Sequence, residues 1–228
     1  MKLHSSCRKG ASLTLTATLV LMVGCGEVRY RDSVIAEERV EKISVKGDVG
    51  IIDLVPGDAA RVEYAVRAPD GAASVQPSEK GGVLSVLARC HTPVLCAVDA
   101  QVHVPEGVTV EIELGIGEVW STGVGDLNVS LGQGDVDVDT SGDVTVQVGQ
   151  GNARVHTIGS ESVRIAVGDG DIVVSAAPDQ WNLNLTARSE AVHGIVHDAT
   201  AIGQMELIAP SGAVTVRSSS AGRDSGTP

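Results

Sequence analysis

The feature that most constrains this chain is a short phrase, glycine then an acid or amide then alternating aliphatics, that recurs between Gly115 and Val174. One series reads Gly115-Ile116-Gly117-Glu118-Val119, Gly132-Gln133-Gly134-Asp135-Val136, Gly149-Gln150-Gly151-Asn152-Ala153 and Gly168-Asp169-Gly170-Asp171-Ile172, in steps of 17, 17 and 19 residues. A second series, Gly123-Val124-Gly125-Asp126-Leu127, Ser141-Gly142-Asp143-Val144 and Gly159-Ser160-Glu161-Ser162-Val163, falls halfway between. A unit of two strands and two tight turns has no means of burying its aliphatic face alone, whereas units stacked edge to edge bury it collectively. The expected fold is therefore all-β: a single-domain β-solenoid, or flattened β-helix, with about 17 residues and two short strands per coil.

Alternation sets which side chains point inward. Leu127, Val129, Leu131, Val136, Val138, Val144, Val146, Val148, Val163, Ile165 and Val167 form the expected core, with polar residues between them facing out. A narrow coil interior has little room for rings, and the chain has no Phe. Earlier strands show the same period, as in Val62-Glu63-Tyr64-Ala65-Val66 and Val108-Thr109-Val110-Glu111-Ile112-Glu113-Leu114, punctuated by turn signals such as Pro105-Glu106-Gly107. Beyond Pro178 the beat blurs, yet Leu183, Leu185, Ile195, Leu207 and Ser211-Gly212-Ala213-Val214-Thr215-Val216 read as further coils, the last echoing Ser141-Gly142-Asp143-Val144-Thr145-Val146. The solenoid domain is placed at 40–218, with a small polar, disordered tail at 219–228.

The N-terminus carries Lys2, Arg8 and Lys9, then an apolar run from Ala11 to Val23 that is too short to span a bilayer. Leu21-Met22-Val23-Gly24-Cys25 resembles a bacterial lipobox. Residues 1–24 are read as a lipoprotein signal peptide, Cys25 as the site of lipid attachment, and 25–39 as the lipidated N-terminus and a polar tether, with room for one helical turn between Arg31 and Val40. Several acyl chains on one cysteine hold a protein to a membrane durably. The expected location is the cell envelope, anchored in the outer membrane and facing the periplasm or the surface. An ordinary cleavage site, giving a soluble exported protein, is the alternative.

Without residues 1–24 the chain holds 14 Lys and Arg against 29 Asp and Glu, a balance of −15. Such a field repels nucleic acid. Cys90 and Cys96 remain once Cys7 leaves with the signal and Cys25 takes lipid, and in an exported chain a pair this close forms a disulfide. A metal clamp of Cys90, His91 and Cys96 would lack a fourth ligand nearby.

With these residues in place, the chain resembles a bacterial family of proposed adhesins of unknown function, similar to the head-GIN type of adhesin domain. The likeness runs from about Val40 to Ser218, through the Cys-flanked loop, the strand ending in Val104-Pro105-Glu106-Gly107 and the glycine-acid-aliphatic coils. It implies an exported, often lipidated β-solenoid, and it supplies no catalytic residue and no cofactor.

Stacked coils place Glu118, Asp135, Asn152 and Asp171 in one ladder and Asp126, Asp143 and Ser162 in another, about 4.8 Å per step. Calcium would relieve the repulsion along Glu118, Asp135 and Asp171, but calcium-binding repeats space glycine and aspartate differently. Asp and Asn that bond their own turn explain the same pattern. His193 and His197, on one strand, would stand too far apart to share zinc, and no nucleophile elbow is present. Trp120 follows the inward Val119 and points outward, where it packs against a neighbouring coil or serves as a contact site, whereas Trp181 faces the core. The leading reading is a non-catalytic envelope lipoprotein that presents an acidic surface to an envelope protein or glycan, or serves a structural role. A calcium-dependent polysaccharide-binding or polysaccharide-processing β-helix is the alternative.

Overall fold

The computed structural model describes residues 28–219 apart from 37–38, 70, 92–95 and 178–179. The expected signal peptide, Cys25 and the tail from residue 220 onward lie outside the described residues. Every element among the described residues is a strand, and all join one mixed sheet.

The sheet begins antiparallel. β1 (Val28–Ile35) pairs with β3 (Arg61–Ala68), β3 with β6 (Ala97–Val104), and β4 (Ala73–Lys80) with β5 (Val83–Cys90). Residues 28–35, expected within a polar tether with a possible helical turn, are thus an edge strand. Alternation there, Val28-Arg29-Tyr30-Arg31-Asp32-Ser33-Val34, is masked by charges that an outer edge tolerates.

From β2 (Lys42–Pro56) onward the strands run parallel in two rows. In the first row Val110, Leu127, Val144 and Val163 lie in register on β7 (Thr109–Val124), β8 (Leu127–Thr140), β9 (Val144–Gln150) and β11 (Ser162–Asp169). In the second, Ile52, Val119, Val136, Ala153 and Ile172 align on β2, β7, β8, β10 (Ala153–Ile158) and β12 (Ile172–Ala177). All eleven predicted inward residues are at most 3% exposed. Each buried valine contributes about 1.5–2 kcal/mol of transfer free energy.

Two expectations about the coil are corrected. The strands are not uniformly short: β7 has 16 residues and β8 has 14, each serving both rows. In β7 and β8 the first glycine series bends the strand, at Gly117 and Gly134, instead of ending it, whereas Gly151 separates β9 from β10 and Gly170 separates β11 from β12 as expected. Gly117, Gly134, Gly151 and Gly170 adopt φ of +152°, +131°, +134° and +140°. A Cβ on Gly134 would come within 1.7 Å of the Gly117 carbonyl oxygen, and one on Gly151 within 1.8 Å of that of Gly134. The recurrent glycine is therefore demanded by backbone stacking at a corner.

The end of the chain doubles back. β15 (Gln204–Ser218) stacks on β11 and β12, and β13 (Gln180–His193) stacks outside β15. Ile172 meets Val214 in register, so the echo of Ser141-Gly142 in Ser211-Gly212 misplaces that segment: Gly212 sits over Gly170 of the first glycine series. On β13, Leu183, Leu185 and Ala187 are only partly buried, and Glu190 takes the inward register above Val214. Glu190 is exposed there, and a charge at such a position on the outermost strand discourages further stacking. Trp181 is fully buried, with Gly203 packed against its ring.

Candidate functional site

The acid ladders form, but their hydrogen bonds run from one repeat to the next. Asp135 Oδ1 accepts the backbone N–H of Asn152 at 2.8 Å and its side-chain amide at 3.0 Å. Asn152 Oδ1 accepts the Asp171 N–H at 3.1 Å, and Asp171 Oδ1 the Ala213 N–H at 2.7 Å. On the other side, Asp126 Oδ1 accepts the Asp143 N–H at 2.9 Å, and Asp143 Oδ1 accepts from Glu161 and Ser162 at 3.1 and 2.9 Å. These side chains thus staple successive repeats, where local turn bonding was expected. Glu118 stands in register with Asp135 but accepts the Trp120 indole N–H, at 3.1 Å, instead. Among the described residues no three His, Cys, Asp or Glu side chains are grouped to hold a metal ion.

Trp120 is 47% exposed, as alternation requires. It lies in register between Asp53 on β2 and Asp137 on β8, and Asp137 pairs with Arg154 at 3.0 Å. Glu118, Trp120, Asp135, Asp137, Asn152 and Arg154 line a hollow of about 410 Å³. The same outward face continues across β2, β6, β3 and β1 into a second hollow of about 610 Å³, with Ile51, Asp53, Asp99 and Gln101 in its wall. There Asp53 accepts from Gln101 at 2.8 Å, and Asp99 pairs with Arg67 at 2.7 Å. Sequence reasoning found Trp120 but missed this extension, because the antiparallel strands that supply Asp99 and Gln101 lie outside the repeat.

The first row carries a neutralised cluster. Lys42 pairs with Glu111, and Lys46 with Glu113 at 2.6 Å. The Lys42 hydrogen bond holds the Glu111 carboxyl below its ordinary range, and Glu113 raises Lys46 above its own through a hydrogen bond and its charge. Asp198 is likewise lowered, chiefly by the Thr200 hydroxyl.

Cys90 and Cys96 form a disulfide, with Cα atoms 5.7 Å apart, so neither supplies the thiolate that the metal-clamp reading with His91 needs. His193 and His197 do not share a strand: Gly194, at φ +66°, ends β13, and the Nδ1 atom of His197 accepts the Leu183 N–H at 3.1 Å. No helix among the described residues is long and apolar enough to cross a membrane, which says nothing of strands that do so.

No protein-family model matches this chain, and no curated protein does. Among solved structures it is similar to a proposed cell adhesion protein from Clostridium sporogenes, over 84% of this chain and 100% of that one, at 9% identity and a TM-score of 0.38. A proposed adhesin from Bacteroides fragilis is similar over 85% of this chain and 98% of its own, at 11% identity and a TM-score of 0.33. One from Parabacteroides merdae is similar over 82% and 95%, at 13% identity and a TM-score of 0.32. Likenesses this distant transfer no residue role and no activity.

Proposed function

We propose that this chain is a non-catalytic, adhesin-like lipoprotein of the cell envelope, a flattened β-solenoid that presents an acidic face around Trp120 to an envelope protein or glycan. The observation that carries the reading is Trp120 itself, an indole left 47% exposed among carboxylates on a ladder whose register is fixed from both sides. A large aromatic ring held outward on rigid strands offers contact area at little entropic cost, which is what a recognition surface requires. The two-row register, with Val119, Val136 and Ala153 superposed at intervals of one repeat, supports the solenoid winding. The lipobox-like segment ending at Cys25 and the balance of −15 support an exported, membrane-tethered chain that keeps clear of nucleic acid.

Two measurements test this. The Cys25→Ala variant should leave the outer-membrane fraction and become soluble; retention in the membrane would end the lipid-anchor claim. A pull-down from intact envelope should recover a partner with the wild-type chain that Trp120→Ala fails to recover. Equal recovery by both would remove the face around Trp120 from the account.

A further inference from the structure

Resting on the binding-face reading above, we propose that the outward surface across β6, β2, β7, β8 and β10 docks an extended, lysine-bearing segment of a partner polypeptide, with Trp120 as its central contact. Three carboxylates surround the indole. Asp53 is in register with it on β2, Glu118 lies two residues before it on β7, and Asp135 stands beside Glu118 on β8. Their hydrogen-bond donors are neutral: the Gln101 amide, the Trp120 indole, and the Asn152 side-chain and backbone amides. By contrast Asp99 and Asp137 on the same face are already paired with Arg67 and Arg154. Three uncompensated negative charges around one exposed ring repel each other, and an arriving ammonium relieves that repulsion while its charge is drawn to the ring face.

The dimensions favour a strand-like segment over a lone cation. Five adjacent strands present four steps of about 4.8 Å, so the face is roughly 19 Å across. About six extended residues span that distance, and their alternate side chains point to one side. Ile51, 40% exposed, adds apolar surface beside the carboxylates for the methylene stem of a lysine. A neutral glycan would find one exposed indole here, since Tyr64 at the far hollow is buried, and its hydroxyls would hydrogen-bond the carboxylates without offsetting their charge. Anionic glycans and nucleic acid are repelled.

The test uses the full-length chain in neutral detergent and a fluorescein-labelled decapeptide of alternating lysine and threonine, followed by anisotropy at physiological salt. Wild type should bind it, and a glutamine-for-lysine peptide should not bind. Trp120→Ala should weaken binding about fivefold, the scale of one cation–π contact, while Trp120→Phe recovers part of the loss. Asp53→Asn with Glu118→Gln should weaken it further, with melting temperatures confirming that each variant is folded. Equal affinity for wild type and Trp120→Ala would overturn the proposal as mere attraction of a cation to an acidic protein. Trp120-dependent binding of a neutral hexasaccharide, with no binding of the lysine peptide, would overturn it and leave the binding-face reading standing. The same result with a glucosamine oligomer would replace the polypeptide by an amino-glycan. If no ligand binds through Trp120 and the envelope pull-down is also independent of it, both readings fall.

Discussion

Asn152 donates its backbone N–H to Asp135 Oδ1 at 2.8 Å, across one full repeat of seventeen positions. The side chain of one repeat thereby satisfies a backbone donor of the next, and the relationship recurs from Asn152 to Asp171 and from Asp171 to Ala213. The acids beside the corner glycines are in this sense part of the stacking, and their charge is what the outward face inherits.

Asp135→Ala removes that acceptor and should cost about 1–1.5 kcal/mol in urea denaturation, the scale of a hydrogen bond to a charged group reduced for exposure. Asp135→Asn keeps an acceptor oxygen and removes repulsion with Glu118, so it should lie within about 0.5 kcal/mol of wild type. Equal losses in both variants would show that charge, and not the bond, matters.

Two glycines that look alike in sequence should respond oppositely. Gly134→Ala drives a Cβ to 1.7 Å from the Gly117 carbonyl oxygen at a φ of +131°, and should cost more than about 3 kcal/mol or prevent folding. Gly125→Ala meets nothing within 4 Å and should change stability by no more than about 1 kcal/mol. Melting temperatures of the two variants check the contrast.

The inward row from Leu127 to Val167 is legible by counting, because period-two alternation and a fixed repeat are both local signals. Trp120 outward and Trp181 inward follow from the same parity, and the Cys90–Cys96 disulfide from close spacing in a chain whose N-terminus reads as an export signal. The partner of each carboxylate is not local. Whether Asp135 bonds its own turn or Asn152 depends on how closely two stacked strands approach, and the glycine contacts set that distance. β1 escaped notice because its charged residues suit an outer edge, and the return of β15 between β11 and β13 is a matter of strand order, which alternation does not encode.

Reduction of the disulfide should lower stability by about 2 kcal/mol, the loop-closure value for so short a loop. Wild type should therefore melt lower in reductant, whereas a Cys90→Ser, Cys96→Ser double variant should melt at that lower temperature with or without it. A reductant effect on the double variant would point to another cause.

Acid should remove part of the first-row cluster. Because Lys42 depresses the Glu111 carboxyl in the folded state, its contribution is whole above about pH 4.3, the ordinary glutamate value, and is lost progressively as pH falls below it. Lys46 behaves in the opposite sense, losing its contribution only as pH rises beyond about 10.4. Both pairs are well exposed, so Glu111→Gln should cost only a few tenths of a kcal/mol at pH 7 and nothing at pH 3. A difference that persists at pH 3 would contradict the assignment.

The most direct test of the winding is a cross-link between Ser130 and Gln147, outward residues that face each other in register on β8 and β9. Cysteines placed at both positions stand about 4.8 Å apart at Cα, within disulfide range, and should oxidise together beside the native Cys90–Cys96 pair when mapped by mass spectrometry. Cysteines at Ser130 and Thr145, two register positions out of step, should not. Efficient closure of the second pair, or failure of the first in a folded protein, would mean that seventeen residues do not make one circuit.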